Sequence, residues 1–499
     1  MIREVLVLGA GSAGLLAALS LRVHLPQLRV RIVRSAEIAI IGVGEGSTAD
    51  LPNHLHGFLG IDPRRFHAEA KPTWKLGVRF LWGPRAAFNY TFTNHVTAQL
   101  PGLRKNCGCH GFEDMPDADA NSALMSADKA FLRQQNGGPD VQRNVAYHIE
   151  NADFVAFLDR YARERGIEFV EGKVERVERG GEGIAALVLA GGERLAADLF
   201  IDASGFRSEL LGREFAEPFQ SFDDTLFCDR AVLGGWERAD EIVKPYTTAE
   251  TMDAGWAWQI EHERHINRGY VYGAAFISDE EAEAEFRRKN PRVRDTRVVK
   301  FRTGRYARNW AGNVFAVGNA AGFVEPLEAT ALLVICQQSR LLAWTLADCD
   351  CAPTPTLRES VNRIGTGLWD EIRDFLAIHY RCNTRLDTPF WRHCREAVAL
   401  HGAEPIVRFY EENGPSTVAA LDVLNPSRSI FQLEGFYALL LGQKVPHRRP
   451  CAAPANERQA FLAHTQRCSA LAARGLGVRE SLDVIRSPFW KWTPGFYRV

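Results

Sequence analysis

Apolar positions along the chain fall into two arrangements, short unbroken runs and longer stripes at helical spacing. The run Val5-Leu6-Val7-Leu8 stops at Gly9, and after the loop Gly9-Ala10-Gly11-Ser12-Ala13-Gly14 residues 15–21 are again apolar. A short run without polar alternation predicts a central strand, and the stretch behind it a buried helix. Val30-Arg31-Ile32-Val33 predicts a second strand, closing a β-α-β unit of about 30 residues. Residues 151–166, NADFVAFLDRYARERG, carry the spacing of an amphipathic helix with Asn151 as N-cap. Strand patterns follow at 168–170, 185–189 and 199–202, the last entering the turn Asp202-Ala203-Ser204-Gly205. A third strand-and-glycine unit spans 314–322, ahead of an apolar helix over about 332–346. From about 355 helical periods dominate, with breaks at Pro405, Gly414-Pro415, Asn425-Pro426, Pro446 and Pro450.

Three strand-and-glycine segments separated by insertions predict an α/β protein whose nucleotide domain is discontinuous, built from 1–80, 150–210 and 295–345. The remaining stretches, 81–149, 211–294 and 346–499, are expected to form a substrate-binding region, largely helical at its C-terminal end. With 499 residues and 46% hydrophobic content, the chain exceeds what one core holds. Sixty basic against sixty-one acidic residues leave no bulk field to attract nucleic acid or an anionic membrane, so a pocket is expected to recognise the substrate. No apolar run approaches the ~18 residues of a membrane span, and Val5–Leu8 leaves no room ahead of it for a signal sequence, so the expected location is the cytoplasm. The ten cysteines include the isolated pairs Cys107/Cys109 and Cys349/Cys351, which read as free thiols rather than a metal site.

The spacing of Gly9, Gly11 and Gly14 has a specific chemistry. The first glycine makes a tight turn, the second admits a pyrophosphate, and the third lets helix and strand pack closely, while the amides of Ser12 and Ala13 open the helix toward the anion. FAD and NAD(P) both fit this loop, as does a glycine-rich turn with no ligand. Where an acid usually binds the ribose, at the end of the second strand, the chain has Arg34, with Glu37 three residues on.

Three segments, Ile41-Gly42-Val43-Gly44-Glu45-Gly46-Ser47, Asp202-Ala203-Ser204-Gly205-Phe206-Arg207-Ser208 and VGNAAGFVEPLEAT at 317–330, together resemble the flavin-dependent halogenases, of which the tryptophan halogenases are the best known. Gly255-Trp256-Ala257-Trp258-Gln259-Ile260 is similar to that family's WxWxIP signature, Lys75 stands where the family carries its catalytic lysine, and Glu328 where it carries an active-site glutamate. The resemblance implies an FAD-binding Rossmann-like domain of the flavin monooxygenase type, with an inserted β-rich substrate region. It further implies that FADH2, O2 and chloride or bromide give hypohalous acid, which Lys75 delivers to an indole or another electron-rich aromatic. Glu328 would take up the ring proton or orient the lysine. By the same resemblance Gly44, Glu45, Asp202, Gly205, Gly318 and Asn319 join the glycine loop and Glu37 at the cofactor, the amides of Thr330 and Ala331 bind halide, and Trp256 and Trp258 wall flavin from substrate.

Taken without the resemblance, Lys75 reads as a surface lysine on a strand, Glu328 as a charge at a helix start, Asp202 as a turn cap, and the tryptophans as core. The chain departs from the family at Glu261, in place of the signature's proline, and at Ala331, in place of a glycine. A monooxygenase or oxidase on the same fold gains from these departures, and a non-catalytic flavoprotein partner has no use for Lys75 and Glu328 together. Only one nucleotide fingerprint is visible, so FADH2 is expected from a separate reductase by diffusion. The segment Asn425-Pro426-Ser427-Arg428-Ser429 and the run 431–437 are candidate pocket or homodimer surfaces.

Overall fold

In the computed structural model, which describes residues 1–37, 44–93, 96–111, 114–115, 117–181, 183–419, 423–424 and 429–492, the strand Glu4–Leu8 lies inside a six-stranded sheet. The order is Trp310–Ala311, Val314–Ala316, Leu199–Asp202, Glu4–Leu8, Arg29–Arg34, Glu168–Glu171. All pairs but the first are parallel. Their register sets Leu8 opposite Asp202, and Asp202 opposite Ala316, so Gly9, Ala203 and Val317 leave the sheet side by side. Segments far apart in sequence thus converge at the carboxyl ends of the strands, where open parallel sheets bind ligands. Helix Ser12–His24 is covered by helix Thr330–Asp348, and Leu15, Leu16 and Leu19 share a core with Leu332, Ile335 and Leu342.

A second, seven-stranded sheet runs Arg297–Lys300, Arg230–Glu237, His265–Tyr272, Gly255–Glu261, Thr247–Met252, Gly77–Leu81, Phe88–Thr91. The helices Pro355–Cys382, Pro389–Ala397, Glu404–Asn413 and Gln432–Gly442 pack on it, joining Trp256, Trp258, Phe375, Trp391, Tyr410 and Phe436 in one core. A small sheet of Glu45–Gly46, Ala146–Ile149 and Thr73–Lys75 adjoins both, since Thr73–Lys75 leads directly into Gly77–Leu81.

Several details differ from the pattern-based reading. The helix expected at 151–166 spans Asn151–Glu164, with Glu150 in the extended N-cap conformation, so Asn151 is its first helical residue. The helix expected from 332 starts at Thr330. The first core also takes in residues 123–131 and 145–149 and the helix Val478–Arg486, which bury Leu124, Tyr147 and Leu482 with Trp74. Phe431 stacks on Phe375 at 3.7 Å between ring centres, which makes the 431–437 run internal packing. Residues 425–428, the other candidate surface, lie outside the described residues. Among the described residues no helix is long and apolar enough to cross a membrane.

Candidate active site

The glycine loop divides into positions that packing forces and positions that stand open. Gly9 has φ +114°, and a Cβ there would sit 2.4 Å from the Ala203 carbonyl oxygen; one on Gly14 would sit 2.0 Å from the Gly9 oxygen. Either substitution breaks the fold locally. A Cβ on Gly11 or Gly205 would meet nothing within 4 Å, so these two line open space at the strand ends. Gly11 begins helix Ser12–His24 without a side-chain cap, which leaves the first-turn amides of that helix for an anion. Gly318, at φ +58°, donates its amide to Gln338 Oε1 at 2.8 Å, and a Cβ on it would lie 3.2 Å from Ala13, so the third glycine segment leans on the first, with Asn319 half-buried beside it. Anion-directed amides and open glycine positions suit a dinucleotide. Gly11→Ala is accordingly expected to keep its melting temperature while weakening FAD binding about tenfold or more, about 1.4 kcal/mol. Quenching of flavin fluorescence reads this, and unchanged quenching would take Gly11 out of the cofactor site.

Other expected cofactor contacts are placed differently. The Asp202 carboxylate accepts from the amides of Ser204, Leu210 and Leu211 at 3.1, 2.8 and 2.9 Å, so it is spent on capping the turn that follows its strand. Arg34 is ion-paired with Asp159 and with Glu171, and Glu37 is exposed and paired with Lys173 at 3.1 Å. Gly44 is no cradle: a Cβ there would collide with Asn267 and His262, which pack over it. Glu45, in the small sheet, is lifted by desolvation to about 7. Ile41, Gly42 and Val43 lie outside the described residues.

Lys75 ends the strand Thr73–Lys75, which pairs with Ala146–Ile149, and is completely buried. Its Nζ donates to the Ser47 carbonyl oxygen at 3.1 Å and lies 5.3 Å from the centre of the Phe92 ring. Burial pulls the amine down to about 7, with the Glu328 charge acting in the opposite direction. A Cβ on Gly46 would lie 3.3 Å from Lys75 Nζ and 3.5 Å from Ala329 Cβ, which brings the lysine beside the start of helix Thr330–Asp348. That start is unusual. Ala329 is left-handed at φ 56° and gives no side-chain cap, and the buried Thr330 hydroxyl has no partner among the described residues. An uncapped helix N-terminus with an orphaned hydroxyl presents hydrogen-bond donors that suit a small anion. Glu328 is buried, and its Oε1 lies 2.7 Å from Nε2 of His379, a residue that pattern and spacing did not single out. His148, next to Thr73 in the small sheet and 2.9 Å from Thr247 Oγ1, is kept neutral by burial and by Lys75.

Trp256 and Trp258 share one face of the strand Gly255–Glu261, with ring centres 5.9 Å apart. Trp258 lies against Gly269, where a Cβ would be 2.0 Å from its ring. Trp256 Nε1 donates to Oε2 of Glu325 at 3.3 Å, and burial raises that carboxyl to about 7. Glu325 stands three residues before Glu328, so the tryptophan pair and the buried glutamates meet at one turn. Glu261, the departure from the signature, forms a buried ion pair with Arg238. Its backbone oxygen also accepts from the Thr73 hydroxyl, two residues before Lys75.

A family model described as tryptophan halogenase matches residues 4–456. The crystal structure of MibH, a lathipeptide tryptophan 5-halogenase, superposes with a TM-score of 0.89 at 37% sequence identity, covering 98% of this chain and 94% of that one. Xcc4156, a flavin-dependent halogenase from Xanthomonas campestris, superposes with a TM-score of 0.86 at 27% identity, covering 97% and 98%. Tryptophan 7-halogenase KtzQ of Kutzneria sp. (strain 744) is 32% identical over 83% of this chain and 82% of its own length.

Proposed function

The chain belongs to the tryptophan halogenase family and is a flavin-dependent halogenase; from that premise we propose that it halogenates a tryptophan indole through Lys75. Reduced FAD, when bound, supplies with O2 the oxidation of chloride or bromide to hypohalous acid. Gly11, Gly205 and the amides opening helix Ser12–His24 hold the dinucleotide, and the Thr330 hydroxyl with the amides of Thr330 and Ala331 holds the halide. A Cβ at Ala331 is compatible with this, because the position is already helical. The reduced cofactor arrives by diffusion from a separate reductase.

The observation that carries the reading is the Lys75 amine, buried and at about 7. An ammonium cannot accept, whereas a neutral amine both hydrogen-bonds the oxidant and takes its halogen. Trp256 and Trp258 keep the indole from the flavin, so that only the small oxidant passes. The amine takes the halogen and gives up one proton, with which the hydroxide of the oxidant departs as water; the haloamine then passes its halogen to the ring carbon, and Glu328 relays the proton lost from that carbon back to the amine nitrogen.

The test is a reaction with FAD, a flavin reductase, NADH and bromide or chloride, offered free tryptophan and tryptophan-containing peptides and read by mass spectrometry. Identity to a lathipeptide enzyme supports including the peptides. Halogenated indole is expected, with kcat rising as pH passes about 7 and the Lys75 ammonium is lost. The nearby titratable groups are Glu328, His148 and Glu45; His148 stays neutral throughout. A flat profile between pH 6 and 8 would remove the free amine from the mechanism.

A further inference from the structure

His379 lies in helix Pro355–Cys382, which packs on the seven-stranded sheet, and is completely buried. Its ring is set among Phe80, Trp82 and Phe375, with centres 5.3, 6.3 and 5.3 Å away, and the Trp82 indole N–H donates to the His379 carbonyl at 2.9 Å. The two ring nitrogens have different partners. Nδ1 is 3.1 Å from the Phe375 carbonyl oxygen, and Nε2 is 2.7 Å from Oε1 of Glu328. A carbonyl oxygen only accepts, so Nδ1 carries a hydrogen. The second contact then holds one further proton, either on Nε2 facing a carboxylate or on Glu328 facing an imidazole lone pair. Side-chain exposure of 1% on each partner removes water as a substitute.

We infer that His379 is a positioning residue for the halogenation reaction: it commits Oε1 of Glu328 and leaves the other carboxylate oxygen to work beside Lys75. This rests on the role given to Glu328 above. The hydrogen bond fixes the carboxyl rotamer. It also draws negative charge away from Lys75, and a full Lys75–Glu328 ion pair would hold the amine protonated and idle. Glu325 and Tyr90 also face this space: Tyr90 feels the Glu328 charge, and Glu325 is occupied by Trp256. The neighbouring helical residue, Tyr380, faces Glu325 and Cys228 instead. Consecutive residues of one helix therefore hold the two glutamates of the turn.

The experiment compares His379→Leu and His379→Gln in the wild-type and Glu328→Gln backgrounds. The measurements are kcat, KM for the indole, flavin quenching and melting temperature. His379→Leu is expected to lower kcat about 10- to 100-fold, as loss of an orienting partner does elsewhere, with KM and FAD binding unchanged. His379→Gln, whose amide still donates to Oε1, recovers most of the rate. In the Glu328→Gln background His379→Leu has no further effect, because it acts through that carboxylate. If the leucine variant does not fold, His379→Asn, too short to reach Oε1, replaces it. Loss that multiplies in the Glu328→Gln background, or an unchanged kcat for His379→Leu, overturns the inference while leaving the Lys75 reading intact. Normal kcat for Glu328→Gln alone overturns the role of Glu328 and the inference with it.

Discussion

Lys75→Met is expected to abolish halogen transfer and, at the same time, to stabilise the fold. The rate should fall at least about a hundredfold, the lower end of what a positioned proton-transfer or nucleophilic group contributes. The stability effect follows from the same burial. Lys75 holds its amine at about 7 in the folded chain against 10.5 for an unperturbed lysine. Between those values the unfolded chain binds more protons than the folded one, so wild-type stability rises with pH across that window. Below pH 7 both states are protonated and the cost of burying the ammonium is at its full value, on the order of 5 kcal/mol at about 1.4 kcal/mol per pKa unit. Methionine fills similar space without charge. Denaturant melts at pH 6 should show the variant more stable by about 1–4 kcal/mol, and the advantage should shrink toward pH 10. A variant less stable than wild type at pH 6 would mean that the site is tuned to hold a charged lysine.

Glu261→Ala is expected to cost about 3–5 kcal/mol, the usual consequence of leaving one member of a buried ion pair alone. The side chains of Arg238 and Glu261 are 0% and 1% exposed. Arg238 also donates to the carbonyls of His262 and Ile242 at 3.0 and 2.9 Å, which do not neutralise it. Gln259 donates to the second Glu261 oxygen at 2.6 Å. The double variant Arg238→Leu with Glu261→Ala removes both charges and should recover much of the loss. Equilibrium unfolding of the two variants reads the difference; a single variant within about 1 kcal/mol of wild type would show that the pair contributes little. Because the Glu261 backbone holds Thr73, the single variant should also lower halogenation by displacing the strand that ends in Lys75.

Legibility in the sequence follows distance along the chain. The glycine loop, its strand and its helix are consecutive, and each glycine answers a local demand, so spacing alone reveals them. Lys75, Glu328 and the tryptophan pair were reachable only through the resemblance, since each has an ordinary structural reading by itself. Asp202 shows the limit of transferring roles by motif: the residue stands where the motif predicts, yet its oxygens are used by its own turn. Gly44 is required by side chains packing over it, which no spacing reveals. His379 and Arg238 left no signal at all. A histidine on an apolar helical face and an arginine at a strand end are common, and what distinguishes these two is a buried carboxylate brought to each by tertiary packing.

What separates halogenation from hydroxylation is where the oxidising equivalent of O2 goes. Wild-type enzyme, reduced FAD, bromide and a tryptophan substrate, mixed with isotopically labelled dioxygen and read by mass spectrometry after one turnover, answers this directly. An indole carrying bromine and no labelled oxygen is expected; a labelled hydroxyindole without bromine would contradict halogenation through Lys75.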